Sequence, residues 1–201
     1  MHFERFSGCL CCDILCNMSK MIIGLVGEKL AGKDTATNYL TEKFGAFHTR
    51  FTHILDEILS ALNLPISRRN EIDLGLGLRN IFGNKVLGSA VIKRALSSNK
   101  DLIVINGIRM DEMEDIKKMG AKIIYITAPA EIRFQRYQNR HEKADDGQMD
   151  FQKFQEQEKE ATEVGIPALG EKADFRIDNV GTLDELYKKI DEIIKNLGFD
   201  N

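Results

Sequence analysis

The segment Gly27-Glu28-Lys29-Leu30-Ala31-Gly32-Lys33-Asp34-Thr35 carries the spacing G-x-x-x-x-G-K, and its surroundings suit the chemistry. An apolar run, residues 21–26, precedes it, and a helical pattern over 36–44 follows. Glycines in such a turn let backbone N–H groups point inward around phosphate oxygens, and the next helix adds its positive end. Gly27, Ala31, Gly32, Lys33, Asp34 and Thr35 are therefore candidate nucleotide-binding positions, with Lys33 reaching the β and γ phosphates as a catalytic cation. With no nucleotide bound, Lys33 is expected to face solvent. An ordinary strand-to-helix turn would share the spacing but not the need for a lysine there.

Asp34 stands where a serine or threonine usually offers a hydroxyl to magnesium. A carboxylate there could hold Mg²⁺ directly or through water, because that ion favours oxygen ligands. The apolar strand 102–105 ends in Asn106 instead of an aspartate. The acid would thus have moved from one side of the ion to the other. The alternative is that Asp34 complements the dipole at a helix start.

Arginines supply a second set of candidates. Arg133, Arg136 and Arg140 recur at i, i+3 and i+7, which places them on one helix face. Three like charges on one face call for an anion, unless acids such as Glu131 and Glu142 balance a solvated surface. Arg109 opens a helix, where a cation meets the positive dipole end. That misfit points to a task other than surface charge. His2, His48, His53 and His141 cluster with no cysteine or paired acid, so neither a zinc site nor a nucleophilic triad is suggested.

The elements that must position these residues alternate. Strands are expected at 21–26, 102–105, 122–127 and 174–177, with a short segment at 47–51. Helices are expected at 36–44, 54–62 with Thr52 as N-cap, 111–119, 130–140, 151–163 and 183–197. Two more helical patterns fill 67–98, weakened by Gly75, Gly77, Gly83 and Gly88. Alternation of this kind gives an α/β fold, a mostly parallel sheet with helices on both faces.

At this point the residues resemble a family. Gly-Lys-Asp-Thr in the phosphate loop is similar to the variant in phage deoxynucleoside monophosphate kinases, and the remainder resembles dephospho-CoA kinases and related archaeal kinase-like proteins. The likeness rests on Pro65-Ile-Ser-Arg-Arg69 through Leu78-Arg79-Asn80, on Asn106-Gly107-Ile108-Arg109, and on Ala173-Asp174-Phe-Arg-Ile-Asp178-Asn179-Val-Gly181. It covers about residues 21–197. It implies a three-layer P-loop kinase fold with a five-stranded sheet, a helical acceptor-binding segment at about 52–98 and a small lid at about 140–150. It also implies ATP and Mg²⁺ as cofactors. Arg109 would bind the acceptor phosphate, with Arg68, Arg69, Asp73 and the deeper Arg79 around the acceptor. Arg136 and Arg140 would clamp the transferred phosphates, Asp145-Asp146 would close the lid, and Asn179 and Gly181 would edge the donor adenine. Turn chemistry alone also explains Asn179 and Gly181.

Bulk properties bound these expectations. A chain of 201 residues, 43% hydrophobic, suffices for one sizeable core and one domain, 21–201. The formal charge of -3 offers no polyanion-binding surface, so no nucleic-acid partner is expected. No apolar run reaches membrane-spanning length, and a cytoplasmic location follows as the expectation. Cys9, Cys11, Cys12 and Cys16 all fall in residues 1–20 without the spaced pairs of a zinc knuckle. That stretch is expected to be an N-terminal extension, disordered or non-native, since Met18 and Met21 could both be starts. The function expected is ATP-dependent transfer of phosphate to a nucleoside or deoxynucleoside monophosphate, with dephospho-CoA as the alternative acceptor. A non-catalytic nucleotide switch or adaptor is a third possibility. A guanine-binding Asn-Lys-x-Asp is absent, since Gly83-Asn84-Lys85-Val86 lacks the aspartate.

Overall fold

Six residues of strand β1, Met21–Val26, are apolar apart from Gly24, and all but the first are buried. A strand apolar on both faces must be covered on both. The computed structural model describes residues 20–139, 149–159 and 163–199 and meets that demand. Strands β1, β2 (Phe47–Arg50), β3 (Leu102–Asn106), β4 (Lys122–Thr127) and β5 (Phe175–Asp178) form one sheet in the order β2-β3-β1-β4-β5. Every pairing is parallel, with Met21 opposite Leu102, Ile23 opposite Lys122, Phe47 opposite Ile103 and Ile124 opposite Phe175.

Successive side chains of a strand point to opposite faces, so each strand feeds two cores. One core joins Ile22, Val26, Ile103, Ile105, Ile123 and Tyr125 to helices α2 (Phe51–Ala61), α4 (Val86–Ser97), α5 (Met110–Lys118) and α8 (Ile166–Glu171). The other joins Ile23, Leu25, Val104, Ile124 and Ile177 to α1 (Lys33–Phe44) and α9 (Leu183–Asn196). Three layers result. Helix α9 shows the logic most plainly. A Thr182–Glu185 capping box starts it, and Leu186, Ile190, Ile193 and Ile194 line its buried stripe. Each of these fully buried side chains contributes about 1.5–3 kcal/mol relative to exposure. Ile190→Ala would cost about 2–5 kcal/mol.

Helices α3 (Arg68–Phe82), α6 (Ala130–Gln138) and α7 (Phe151–Gln157) complete the described elements. Ser67 caps α3 through its Oγ, 3.2 Å from the Asn70 amide. Two expectations need correction. Helix α2 starts at Phe51 on an extended Arg50, so Thr52 lies inside it and is not its cap. The helix expected over 151–163 stops at Gln157, and α8 starts separately at Ile166 with Pro167 in its first turn. Proline there fits a helix start, because its missing N–H is an unpaired donor position in any case. Arg140 and most of the expected lid, including Asp145 and Asp146, lie outside the described residues, as do Met1 to Ser19. Among the described residues, no helix is long and apolar enough to cross a membrane.

Candidate nucleotide-binding and acceptor site

The phosphate loop leaves the end of β1 and enters α1 at its positive end. Gly27 has φ 147°, and a Cβ there would lie 1.9 Å from the Ile126 carbonyl oxygen. Gly32 has φ 109°, and a Cβ would lie 2.3 Å from Asn179 Nδ2. Both positions therefore exclude a side chain by backbone angle and by space. Gly32 caps α1 without a side-chain acceptor. The amides of Lys33, Asp34 and Thr35 thus open the helix without intrahelical partners, the arrangement that binds an anion.

Lys33 does not reach into solvent as expected. Its ammonium donates to the carbonyls of Gly27 at 2.8 Å and Glu28 at 2.7 Å, folding the chain back over its own loop. Burial holds this amine down at about 8, with Arg109 lowering it further while Asp34, Glu163 and Glu28 pull it up. Arg109 and Glu163 thus both act on the Lys33 charge.

Asp34 and Asn106 meet. The Asn106 amide donates to Asp34 Oδ1 at 2.8 Å, across the gap between the start of α1 and the end of β3. Arg50, at the end of β2, stands 4.0 Å from the same oxygen. The oxygen chemistry of Asp34 and Thr35 fits a hard divalent cation. Among the described residues no group of three His, Cys, Asp or Glu gathers as a metal cage.

A cavity of about 540 Å³ opens beside the loop, lined by Gly32, Lys33, Asp34, Thr35, Arg136, Asn179 and Gly181, with Leu30 and Leu183 as apolar walls. Arg136 donates to the carbonyls of Leu30 at 3.1 Å, Ala31 at 3.3 Å and Asn179 at 2.8 Å. The Asn179 side chain is buried and its amide donates to Ala31 O at 2.8 Å, so it braces the loop. Gly181 leaves room for the α9 capping box, since a Cβ there would fall 1.6 Å from Glu185 Oε2. Arg133 departs from the expected common face. It is 5% exposed, and its guanidinium donates to Ala128 O at 2.8 Å and pairs with Glu158, tying α6 to the end of α7.

On the side where the acceptor was expected, Arg109 donates to Glu163 Oε1 at 3.0 Å, while its backbone N–H donates to Glu112 Oε2 at 3.2 Å. Arg79 stands 3.6 Å from Glu112 Oε1. Two helix glycines make that buried pair possible. A Cβ at Gly88 would lie 2.9 Å from Glu112 Cγ, and one at Gly75 would lie 3.3 Å from Arg79 Nη1. Burial raises the Glu112 carboxyl, partly offset by Arg79. Arg68 and Arg69 are exposed in the first turn of α3, Arg69 bonded to Asp73 at 2.7 Å. Eleven residues, or about 16 Å of helix rise, part Arg68 from Arg79. The structure does not bring the set together.

Sequence reasoning missed Arg50, Glu28, Glu112 and Glu163. Only Glu112 had a local signal, an acid three residues after the start of its helix. Glu28 accepts from the Tyr125 hydroxyl, and its second oxygen is buried without a hydrogen-bond partner.

Solved structures share this architecture. A shikimate kinase of Bacteroides thetaiotaomicron superposes with a TM-score of 0.60 at 12% identity, covering 89% of this chain and 99% of that one. A shikimate kinase of Acinetobacter baumannii, solved with shikimate, gives 0.55 at 22% identity over 94% and 99%. A gluconokinase of Sinorhizobium meliloti gives 0.51 at 12% identity over 90% and 97%. The chain has the P-loop kinase fold. No family model matches it. Within this P-loop kinase fold the sequence is similar to archaeal UPF0200 proteins. One from Saccharolobus islandicus is 28% identical over 176 residues, 86% of this chain and 91% of the relative. A UPF0200/UPF0201 protein of Archaeoglobus fulgidus is 27% identical over 182 residues, 88% of this chain, which spans 55% of that relative's length.

Proposed function

We propose that the chain is an ATP-dependent phosphotransferase acting on a small acceptor. The carrying observation is the Lys33 amine, half-buried on the phosphate loop with Asp34 and Arg109 among its charged neighbours. The free amides of α1 and Lys33 suit the β and γ phosphates, and Leu30 and Leu183 suit the faces of a base. Arg136 rims the same cavity and is placed to offset charge on the transferred group. Magnesium, held from Asp34 and Thr35, would supply neutralisation between the β and γ phosphates. Transfer then runs in line, from a donor on the Lys33 side to an acceptor beside Arg109, and demands mainly positioning and electrostatic stabilisation.

The acceptors that the family resemblance brings are nucleoside or deoxynucleoside monophosphates and dephospho-CoA. A nucleotide switch or adaptor would bind the donor without turning it over. The test is ADP release with full-length protein and a panel of these acceptors, beside Lys33→Ala. Wild-type protein is expected to turn over, and Lys33→Ala to lose activity while still folding and melting cooperatively. Activity above a few per cent in Lys33→Ala removes the phosphate-loop assignment, and tight ATP binding without turnover favours the switch.

A further inference from the structure

Three of the cations around the site already face a carboxylate. Arg79 lies 3.6 Å from Glu112, Arg109 lies 3.0 Å from Glu163, and Arg50 lies 4.0 Å from Asp34. Glu112 and Glu163 are only 2% and 9% exposed. An acceptor phosphate seated on Arg109 would share that guanidinium with the buried Glu163 carboxylate and set two anions side by side. Like charges brought together at a partly buried site repel. An acceptor hydroxyl brings no charge and offers a proton, which a carboxylate can take.

Two carboxylates other than Asp34 bias the Lys33 amine. Glu163 sits 3.0 Å from Arg109, three residues beyond Asn106, whose amide bonds Asp34 of the loop. Glu28 has one oxygen bonded to Tyr125, whose ring is buried in the sheet core. Glu163 is instead oriented by Arg109 at the start of α5, next to the end of β3 where the acceptor must lie.

Resting on the phosphotransfer reading, we propose that the acceptor's attacking group is a hydroxyl, as in a sugar or ribose, and that Glu163 is the general base that receives its proton. The acceptor O–H bond breaks with its proton passing to a Glu163 carboxylate oxygen. The acceptor oxygen bonds to Pγ, and the bond from Pγ to the β–γ bridging oxygen breaks, releasing ADP. Glu163 then gives the proton to water. An ion-paired carboxylate is a weak base, but a loose transition state lets the proton leave late, once the attacking oxygen has become acidic. Arg109 keeps the carboxylate aimed.

The experiment incubates full-length protein with Mg-ATP and, separately, nucleoside monophosphates, nucleosides, dephospho-CoA and gluconate. Phosphorus NMR reads the bond formed. A phosphomonoester, without phosphorus–phosphorus coupling, is expected. Glu163→Gln should lower kcat by about 100-fold or more with the KM for ATP unchanged. Where water alone is phosphorylated, the same comparison on the hydrolysis rate decides. Should Glu163→Gln melt early, Glu163→Asp keeps the charge, withdraws it by one methylene and should still lower kcat about tenfold or more. An anhydride product from a monophosphate, or an unchanged kcat in these variants, overturns the proposal while the kinase stands. Absence of turnover with every acceptor and with water overturns both.

Discussion

Nucleotide binding should draw a proton into the site at alkaline pH. Burial holds the Lys33 amine at about 8 in the free protein. At pH 8.5 such a group is about three-quarters neutral, and at pH 7 only about a tenth is. The phosphates of ADP favour the ammonium and raise its pKa well above 9, so binding should take up about 0.7 proton at pH 8.5 and about 0.1 at pH 7. Calorimetric titration of ADP in two buffers of very different ionisation enthalpy reads this number from the difference in heats. Lys33→Met should abolish the uptake and weaken binding. The same depression bears on folding. Because the folded value lies below the unfolded 10.5, the free protein carries a penalty below about pH 8 that is relieved as pH rises from about 8 to 10.5. Uptake near zero at pH 8.5, or equal uptake in Lys33→Met, would refute the assignment of Lys33 to the phosphates.

Other outcomes follow from single contacts. Gly88→Ala should destabilise by about 1–3 kcal/mol through Glu112 despite the gain in helix propensity, whereas Gly77→Ala, with nothing within 4 Å of its Cβ, should stabilise by up to about 1 kcal/mol. Urea midpoints separate the pair. Asp34→Ala should cut magnesium-dependent transfer by about 100-fold or more, and a retained rate would leave Asp34 as a helix-start acid only. Arg136→Lys keeps charge but loses the planar fork that bonds three carbonyls. Its kcat should fall by up to about 10³ with a cooperative melting transition retained, and a wild-type rate would place Arg136 in a bracing role only.

Local signals made most of the frame legible. Apolar runs gave β1, β3 and β4, and β5 was expected as a last short strand. Residues 47–51 carried too little pattern to read as more than a short segment, while the glycine and lysine spacing marked the loop between β1 and α1. What escaped depends on contacts far apart in sequence. Nothing near Arg133 announces that it turns inward to Glu158, since helical spacing gives a face but not which face is buried. Gly75 and Gly88 looked like weak points in helices and are the spaces into which Arg79 and Glu112 fit. Glu163 was read as the end of a helix, because its partner Arg109 lies 54 residues away. The Asp34–Asn106 contact was inferable from a missing strand-end acid, while Arg50 beside it had no local mark.

The central strand of the sheet is also the first to be made. Met21 waits for Leu102, about eighty residues further on, which is about 4–16 s of synthesis at usual rates. The phosphate loop waits longer, since Gly27 packs against Ile126 and Ala31 is braced by Asn179. The emerging chain therefore holds no finished nucleotide site until Asn179 has left the ribosome. ATP, however abundant, cannot act as a template for the early stages of folding. It can only trap the completed domain, so protection by nucleotide should be missing from ribosome-bound fragments that end before Asn179.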